Sequence, residues 1–147
     1  MKSKQFIWLC AIVLLIYIVD KGLNRLSGNE YFLSKLNKSA SGIFRSFIKD
    51  IERLGYTVII TSGKRTNAEQ AALKKQDARN ASAGSSAHNY GTALDFVLQK
   101  NGKIINKSSP AALWNSTGVP TLANKYGLGW GGKFANYYDP VHFYIKG

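Results

Sequence analysis

Residues 86–98 read Ser86-Ala87-His88-Asn89-Tyr90-Gly91-Thr92-Ala93-Leu94-Asp95-Phe96-Val97-Leu98, and the rest of the chain is organised around them. The stretch leading in, Ala78 to Ala87, is small, polar and glycine-containing, which predicts a loop. Ala93 to Leu98 predicts a strand, and Lys100-Asn101-Gly102 is a hairpin turn into Lys103-Ile104-Ile105. Upstream, Ile43, Phe44, Phe47, Ile48, Ile51 and Leu54 recur at spacings of one, three and four, the apolar face of an amphipathic helix ended by Gly55. Tyr56 to Thr61 is rich in β-branched residues and predicts a buried strand. After Ser62-Gly63-Lys64-Arg65, the pair Thr66 and Glu69 forms a capping-box pattern that opens a short helix through Leu73 toward Gln76. Downstream, Pro110 and Pro120 punctuate two short helical stretches. Gly127 to Gly132 predicts a glycine-rich bend around Trp130, and Val141 to Ile145 a last strand. The mixture predicts an α+β domain over 40–147, a small antiparallel sheet with flanking helices and no internal repeat.

The 147 residues leave room for one compact domain and little more. Twenty Lys and Arg against eight Asp and Glu give a formal charge of +12, which points to an anionic partner. No basic run is longer than a pair and no nucleic-acid motif accompanies the charge, so a nucleic-acid partner is set aside. Anionic envelope polymers or lipid remain, and a monomer is expected. The single cysteine, Cys10, excludes an intrachain disulfide and a cysteine-based metal cage. Bulky Leu9 before it is wrong for lipid attachment.

Lys2 and Lys4 precede an uninterrupted apolar run from Phe6 to Val19, closed by Asp20 and Lys21. That is the pattern of a secretory signal, short for a helix that crosses a membrane in about 20 residues. Ile16, Tyr17, Ile18 and Val19 are all bulky and offer no cleavage site, which favours an uncleaved signal anchor over 1–20. The positive flank would keep the N-terminus cytoplasmic and place the domain outside, in the cell envelope. Residues 21–39 read as a tether.

The chain has two histidines, and each lies near an acid: His88-x6-Asp95 and Asp139-x2-His142. A catalytic zinc site takes three protein ligands and leaves one position open, with His/His/carboxylate a common set. A hydrolase also needs a carboxylate to take the proton of the attacking water. Three ligands and one base use those four residues completely. Gly91 would allow a turn that returns Asp95 toward the ion, and Pro140 stiffens the link between Asp139 and His142.

Ser86-Ala87-His88-Asn89-Tyr90-Gly91-Thr92-Ala93-Leu94-Asp95 resembles the S-x-H-x-x-G-x-A-x-D motif of the VanY-like zinc peptidases, which include D-alanyl-D-alanine carboxypeptidases and the L-alanyl-D-glutamate endopeptidases of phage endolysins. Gly129-Trp130-Gly131-Gly132, then Asp139-Pro140-Val141-His142-Phe143, is similar to the family's closing W-G-G and D-x-x-H-F elements, and Ser62-Gly63-Lys64-Arg65-Thr66 to its S-G-x-R-[ST] element. The resemblance runs from about Ile43 to the C-terminus, in the family's order. It implies that His88, Asp95 and His142 bind Zn2+ in a cleft on the sheet, and that Asp139 is the general base. Arg65 would steady the scissile carbonyl or its oxyanion, and Ser86 would help position the substrate. Trp130 reads as a wall of the cleft or a core anchor, and Tyr90, Tyr137 and Tyr138 as lining the substrate groove or simply packing. The implied substrate is the stem peptide of peptidoglycan, cut at a terminal D-Ala-D-Ala or an interior L-Ala-D-Glu bond. Asp139 stands where some relatives carry a longer acid, which matches the endolysin-like branch.

A rival from another class is a catalytically inactive zinc module that binds wall peptide or a protein partner, the metal kept for stability. Ser46-Phe47-Ile48-Lys49 fits the S-x-x-K of serine peptidases, yet no K-T-G or S-D-N follows, so both residues belong to the polar side of the helix.

Overall fold

The computed structural model describes residues 28–147; the expected anchor over 1–20, with Cys10, lies outside them. Among the described residues no helix is long and apolar enough to cross a membrane. Helix occupies 28–35 (α1) and Lys38–Arg53 (α2), followed by strand Thr57–Ser62 (β1), helix Asn67–Gln76 (α3), strands Ala93–Lys100 (β2) and Lys103–Ile105 (β3), helices Ala111–Ser116 (α4) and Val119–Lys125 (α5), strand Leu128–Trp130 (β4), a 3-10 turn Gly131–Lys133, and strand His142–Ile145 (β5).

The strands form one antiparallel sheet in the order β1-β2-β5-β4, with β3 beside the far end of β2. The expected α+β arrangement is therefore present. Alternation along β2 sends Leu94, Phe96 and Leu98 to one face, all fully buried, while Asp95, Val97 and Gln99 point the other way. On the packed face Phe47 of α2 meets Phe96 and Phe143 at ring-centroid distances of 6.1 and 5.6 Å, and Phe96 stacks on Phe143 at 4.6 Å. Each such side chain contributes about 1.5–3 kcal/mol by leaving water. Trp114 and Val119 close the same core from α4 and α5.

Helix α2 begins five residues before the apolar periodicity does, because Asn37 caps it by accepting a hydrogen bond from the Ser39 amide at 3.1 Å. Part of the stretch read as a tether is structured. From residue 28 it is helical, and Leu33 and Leu36 enter the core. Asn29 donates to the Val58 carbonyl at 2.9 Å and accepts from the Ile60 amide at 2.8 Å, so one side chain pairs the outer edge of β1. One core leucine on a short polar helix and a second just past its end are too sparse a pattern to read as amphipathic, which is why the sequence gives no warning of this packing.

The bend expected over 127–132 contains β4, paired to β5 with Leu128 opposite Ile145 and Trp130 opposite Phe143. Glycine content argues for a bend locally, but ladder pairing and the burial of Leu128 and Trp130 decide the outcome. The hairpin turn is as expected: Asn101 and Gly102 both take positive φ, 50° and 74°.

Candidate active site and metal centre

The site is assembled on the unpacked face of the sheet, where three strands meet. Asp95 in β2 lies directly opposite His142 in β5, so the two side chains share one face at cross-strand distance. Asp95 is also the last partner of β1, opposite Ser62 after a register shift that bends the strand end. His88 arrives from the loop before β2, its carbonyl accepting from the Arg65 amide at 3.0 Å. Gly91 turns this loop with φ of 65°, and a side chain there would meet the Asn37 backbone nitrogen at 2.9 Å. The conformation expected of Gly91 is thus the one adopted.

Three donor atoms converge. His88 Nε2 lies 3.1 Å from Asp95 Oδ1 and 3.1 Å from His142 Nδ1, and His142 Nδ1 lies 2.8 Å from the same Oδ1. The chemistry of this set can be tested for a metal. His88 Nδ1 donates to the Gly63 carbonyl at 2.6 Å, and since a carbonyl only accepts, the neutral ring presents Nε2 as a lone pair. A lone pair aimed at a carboxylate oxygen and a second imidazole nitrogen is repulsive unless a cation joins them. Tetrahedral zinc with bonds of about 2.1 Å separates its donors by about 3.4 Å, close to what is seen. The Gly63 bond is also the outer contact that fixes a ligand imidazole's orientation. The residues fit zinc.

Arg65 donates from Nη2 to Asp95 Oδ2 at 2.6 Å, from Nε to Ser62 Oγ at 2.9 Å and from Nη1 to Gln70 Oε1 at 3.4 Å. Its fork thus grips the free oxygen of the ligand carboxylate, where the resemblance implied contact with the substrate carbonyl. Burial opposes the charge on Asp95, but its close contacts with His142 and His88 outweigh it and hold the carboxyl well below the ordinary range.

Asp139 lines the same cleft, its side chain only 14% exposed. Its Oδ1 is buried and accepts no hydrogen bond; Lys107 Nζ stands 3.6 Å away. Burial, together with the charge of Asp95, raises its pKa above the usual carboxylate value, the direction that suits a proton acceptor. The loop carrying it is pinned on both sides. The Asp139 amide donates to the Gly131 carbonyl at 3.2 Å, and the Trp130 indole donates to the Pro140 carbonyl at 2.8 Å. A side chain on Gly131 would meet the Asp139 carbonyl at 2.4 Å, so only glycine permits this approach.

The cleft, about 710 Å3, is of the size that ligand sites have. His88, Asp95, His142, Asp139 and Arg65 all line it. Of the residues expected toward substrate, Ser86 lines it too, but its hydroxyl accepts from the His88 amide at 3.3 Å and so supports the ligand loop. Trp130 is buried and braces the base loop, away from the cleft wall. Tyr90 is 64% exposed with its hydroxyl donating to the Gly84 carbonyl, also outside the cleft. Both are aromatic residues inside the motifs, and motif membership does not separate bracing from contact. Tyr137 does line the cleft, and the wall is completed by Tyr144 and Phe134. Tyr144 stands two residues from His142 on the same strand and so shares its face. Lys107 and Gln70 also reach the cleft, and neither is itself a motif residue.

A family model described as D-alanyl-D-alanine carboxypeptidase matches residues 79–145. The peptidoglycan L-alanyl-D-glutamate endopeptidase CwlK of Bacillus subtilis (strain 168) is 36% identical over 102 residues, covering 60% of this chain and 60% of that protein. The match thus spans about 60% of that relative's length. The crystal structure of the Serratia marcescens L-Ala D-Glu endopeptidase ChiX superposes with a TM-score of 0.61 at 19% identity, over 81% of this chain and 86% of the other. A variant of the vancomycin-resistance D,D-pentapeptidase VanY, in complex with Zn(II), superposes with a TM-score of 0.51 at 17% identity, over 76% of this chain and 73% of the other. Those two likenesses speak for the fold. Over 79–145 the chain is a match to the D-alanyl-D-alanine carboxypeptidase family, and its resemblance to the VanY-like zinc peptidases holds in both sequence and fold.

Proposed function

We propose that this chain is a zinc-dependent peptidase that hydrolyses a bond in the stem peptides of peptidoglycan, L-Ala-D-Glu or D-Ala-D-Ala. One observation carries the reading: His88 Nε2, Asp95 Oδ1 and His142 Nδ1 converge within 3.1 Å of one another beside the unbonded, buried Oδ1 of Asp139. The match to CwlK, named for its action on peptidoglycan, supports the substrate class. His88, Asp95 and His142 would hold the metal. When bound, zinc supplies Lewis acidity that polarises the scissile carbonyl and makes water a nucleophile near neutral pH. Asp139 takes the proton of the attacking water and returns it to the departing amine. Arg65 holds the other oxygen of Asp95 at 2.6 Å, keeping Oδ1 aimed at the two histidines.

The domain would work at the outer face of a membrane, held by the apolar run from Phe6 to Val19, where wall peptide is within reach. The charge of +12 would concentrate it near anionic envelope polymers or lipid. Added protease that fails to reach the domain on cells stripped of their wall would remove this part.

The test is to purify the full chain, measure its zinc and incubate it with defined muropeptides. Expected are about one zinc per chain and a released fragment whose mass names the bond. Asp139→Asn should keep the zinc and lose activity by about 10²–10⁴-fold. Zinc without cleavage would point to a binding module, and absence of metal would defeat the reading.

A further inference from the structure

The peptidase reading leaves Lys107 unused, and on that reading we infer that Lys107 determines specificity by binding the carboxylate carried by the leaving residue. The two candidate bonds share a feature on this side. A C-terminal D-alanine bears its carboxylate on the carbon next to the departing nitrogen, and so does a D-glutamate linked onward through its side chain.

The base marks where that carboxylate must lie. Asp139 returns its proton to the departing nitrogen, so a cation next to Asp139 is next to the substituents of that nitrogen. Lys107 Nζ is 3.6 Å from Asp139 Oδ1, too long for a hydrogen bond and short enough for a second carboxylate to be shared. The lysine side chain is 65% exposed and points from the cleft rim, free to move onto a ligand. Its backbone, in contrast, is fixed. The Trp114 indole donates to the Asn106 carbonyl at 3.0 Å, the Asn106 amide donates to Ser109 Oγ at 3.0 Å, and the Tyr138 hydroxyl donates to the Ser109 carbonyl at 2.8 Å. The turn bearing Lys107 is therefore tied to the residue that precedes the base. Among the described residues, the other cationic side chain of the cleft, apart from the histidines, is Arg65, and its fork is held by Asp95, Ser62 and Gln70. A carboxylate entering beside Asp139 would meet Lys107.

The test pairs two peptides that differ only on the leaving residue, one with the free carboxylate and one with its carboxamide. The zinc-loaded full chain should prefer the acid by about 10- to 100-fold in kcat/KM, the scale of a charge-assisted contact. Lys107→Ala should bring the ratio to near one, Lys107→Arg should keep most of it, and Lys107→Glu should favour the amide. Equal cleavage of the two peptides by the unsubstituted chain would overturn the assignment while leaving the peptidase reading intact. A preference that survives in Lys107→Ala would do the same. An equal loss on both peptides would mean that Lys107 serves Asp139 alone. If the unsubstituted chain cleaves neither, the peptidase reading falls and this assignment with it.

Discussion

Successive residues of β2 and β5 are shared out between two faces of one sheet: Leu94, Phe96, Leu98 and Phe143 to the packed side, Asp95, His142 and Tyr144 to the cleft. The packed side is defined by volume. Its rings and aliphatic chains meet many neighbours, and a different apolar residue of similar size would fill the space at modest cost. The cleft side is defined by atoms. There a single oxygen, Asp95 Oδ1, faces two imidazole nitrogens, and no residue of similar volume replaces it. Stability and chemistry are therefore written in alternate letters of the same strands, and substitutions of neighbours should have unlike consequences.

His142→Ala and Phe143→Ala put that to the sharpest test. The first should abolish hydrolysis, by more than about 10³-fold, and empty the zinc site. Its metal-free thermal midpoint should stay near that of the metal-free parent. The second should cost about 3–5 kcal/mol of folding stability, read in denaturant titration. Comparable unfolding of the two variants would show that the faces are not separable. A smaller effect is expected from Arg65→Lys. Lysine keeps the charge but cannot reach Asp95, Ser62 and Gln70 together, so zinc affinity should fall by about 10- to 100-fold in competition with a chelator. Unchanged affinity would mean that Asp95 orients itself. Smallest is Thr66→Ala. Thr66 and Glu69 cap α3 reciprocally, and Gln70 is the one α3 side chain that is fully buried, so the loss should be about 1 kcal/mol. Zinc content unaffected by this change would place α3 with the cleft wall and outside the metal frame.

The sheet was legible from its β-branched and apolar stretches, and the ligand triad from side chains of narrow chemistry. His88, Asp95 and His142 are scarce types in telling company, and the structure brings them together. The supporting groups were harder. Trp130 and Tyr90 stand inside the motifs, yet their polar tips bond to the carbonyls of Pro140 and Gly84, a choice made by tertiary packing. The resemblance implies that Arg65 faces substrate, and the motif alone does not name the target of its charge. The target, Asp95, is 30 residues away in the chain and becomes a neighbour only when β1 pairs with β2. Lys107 carried no local signal at all, being one basic residue among many.

The side chain of Asn29, bonded to Val58 and Ile60, has a practical consequence for where the domain can be cut. A strand at the rim of a sheet is an invitation to strands of other chains, and here a single amide stands in for the missing neighbour. A protein started at residue 40, where the helical periodicity would place the boundary, would lose that amide together with Leu33 and Leu36. It would present an open ladder and a gap in its core at once. Such a fragment should self-associate on concentration, whereas one that begins at or before residue 28 should remain dispersed.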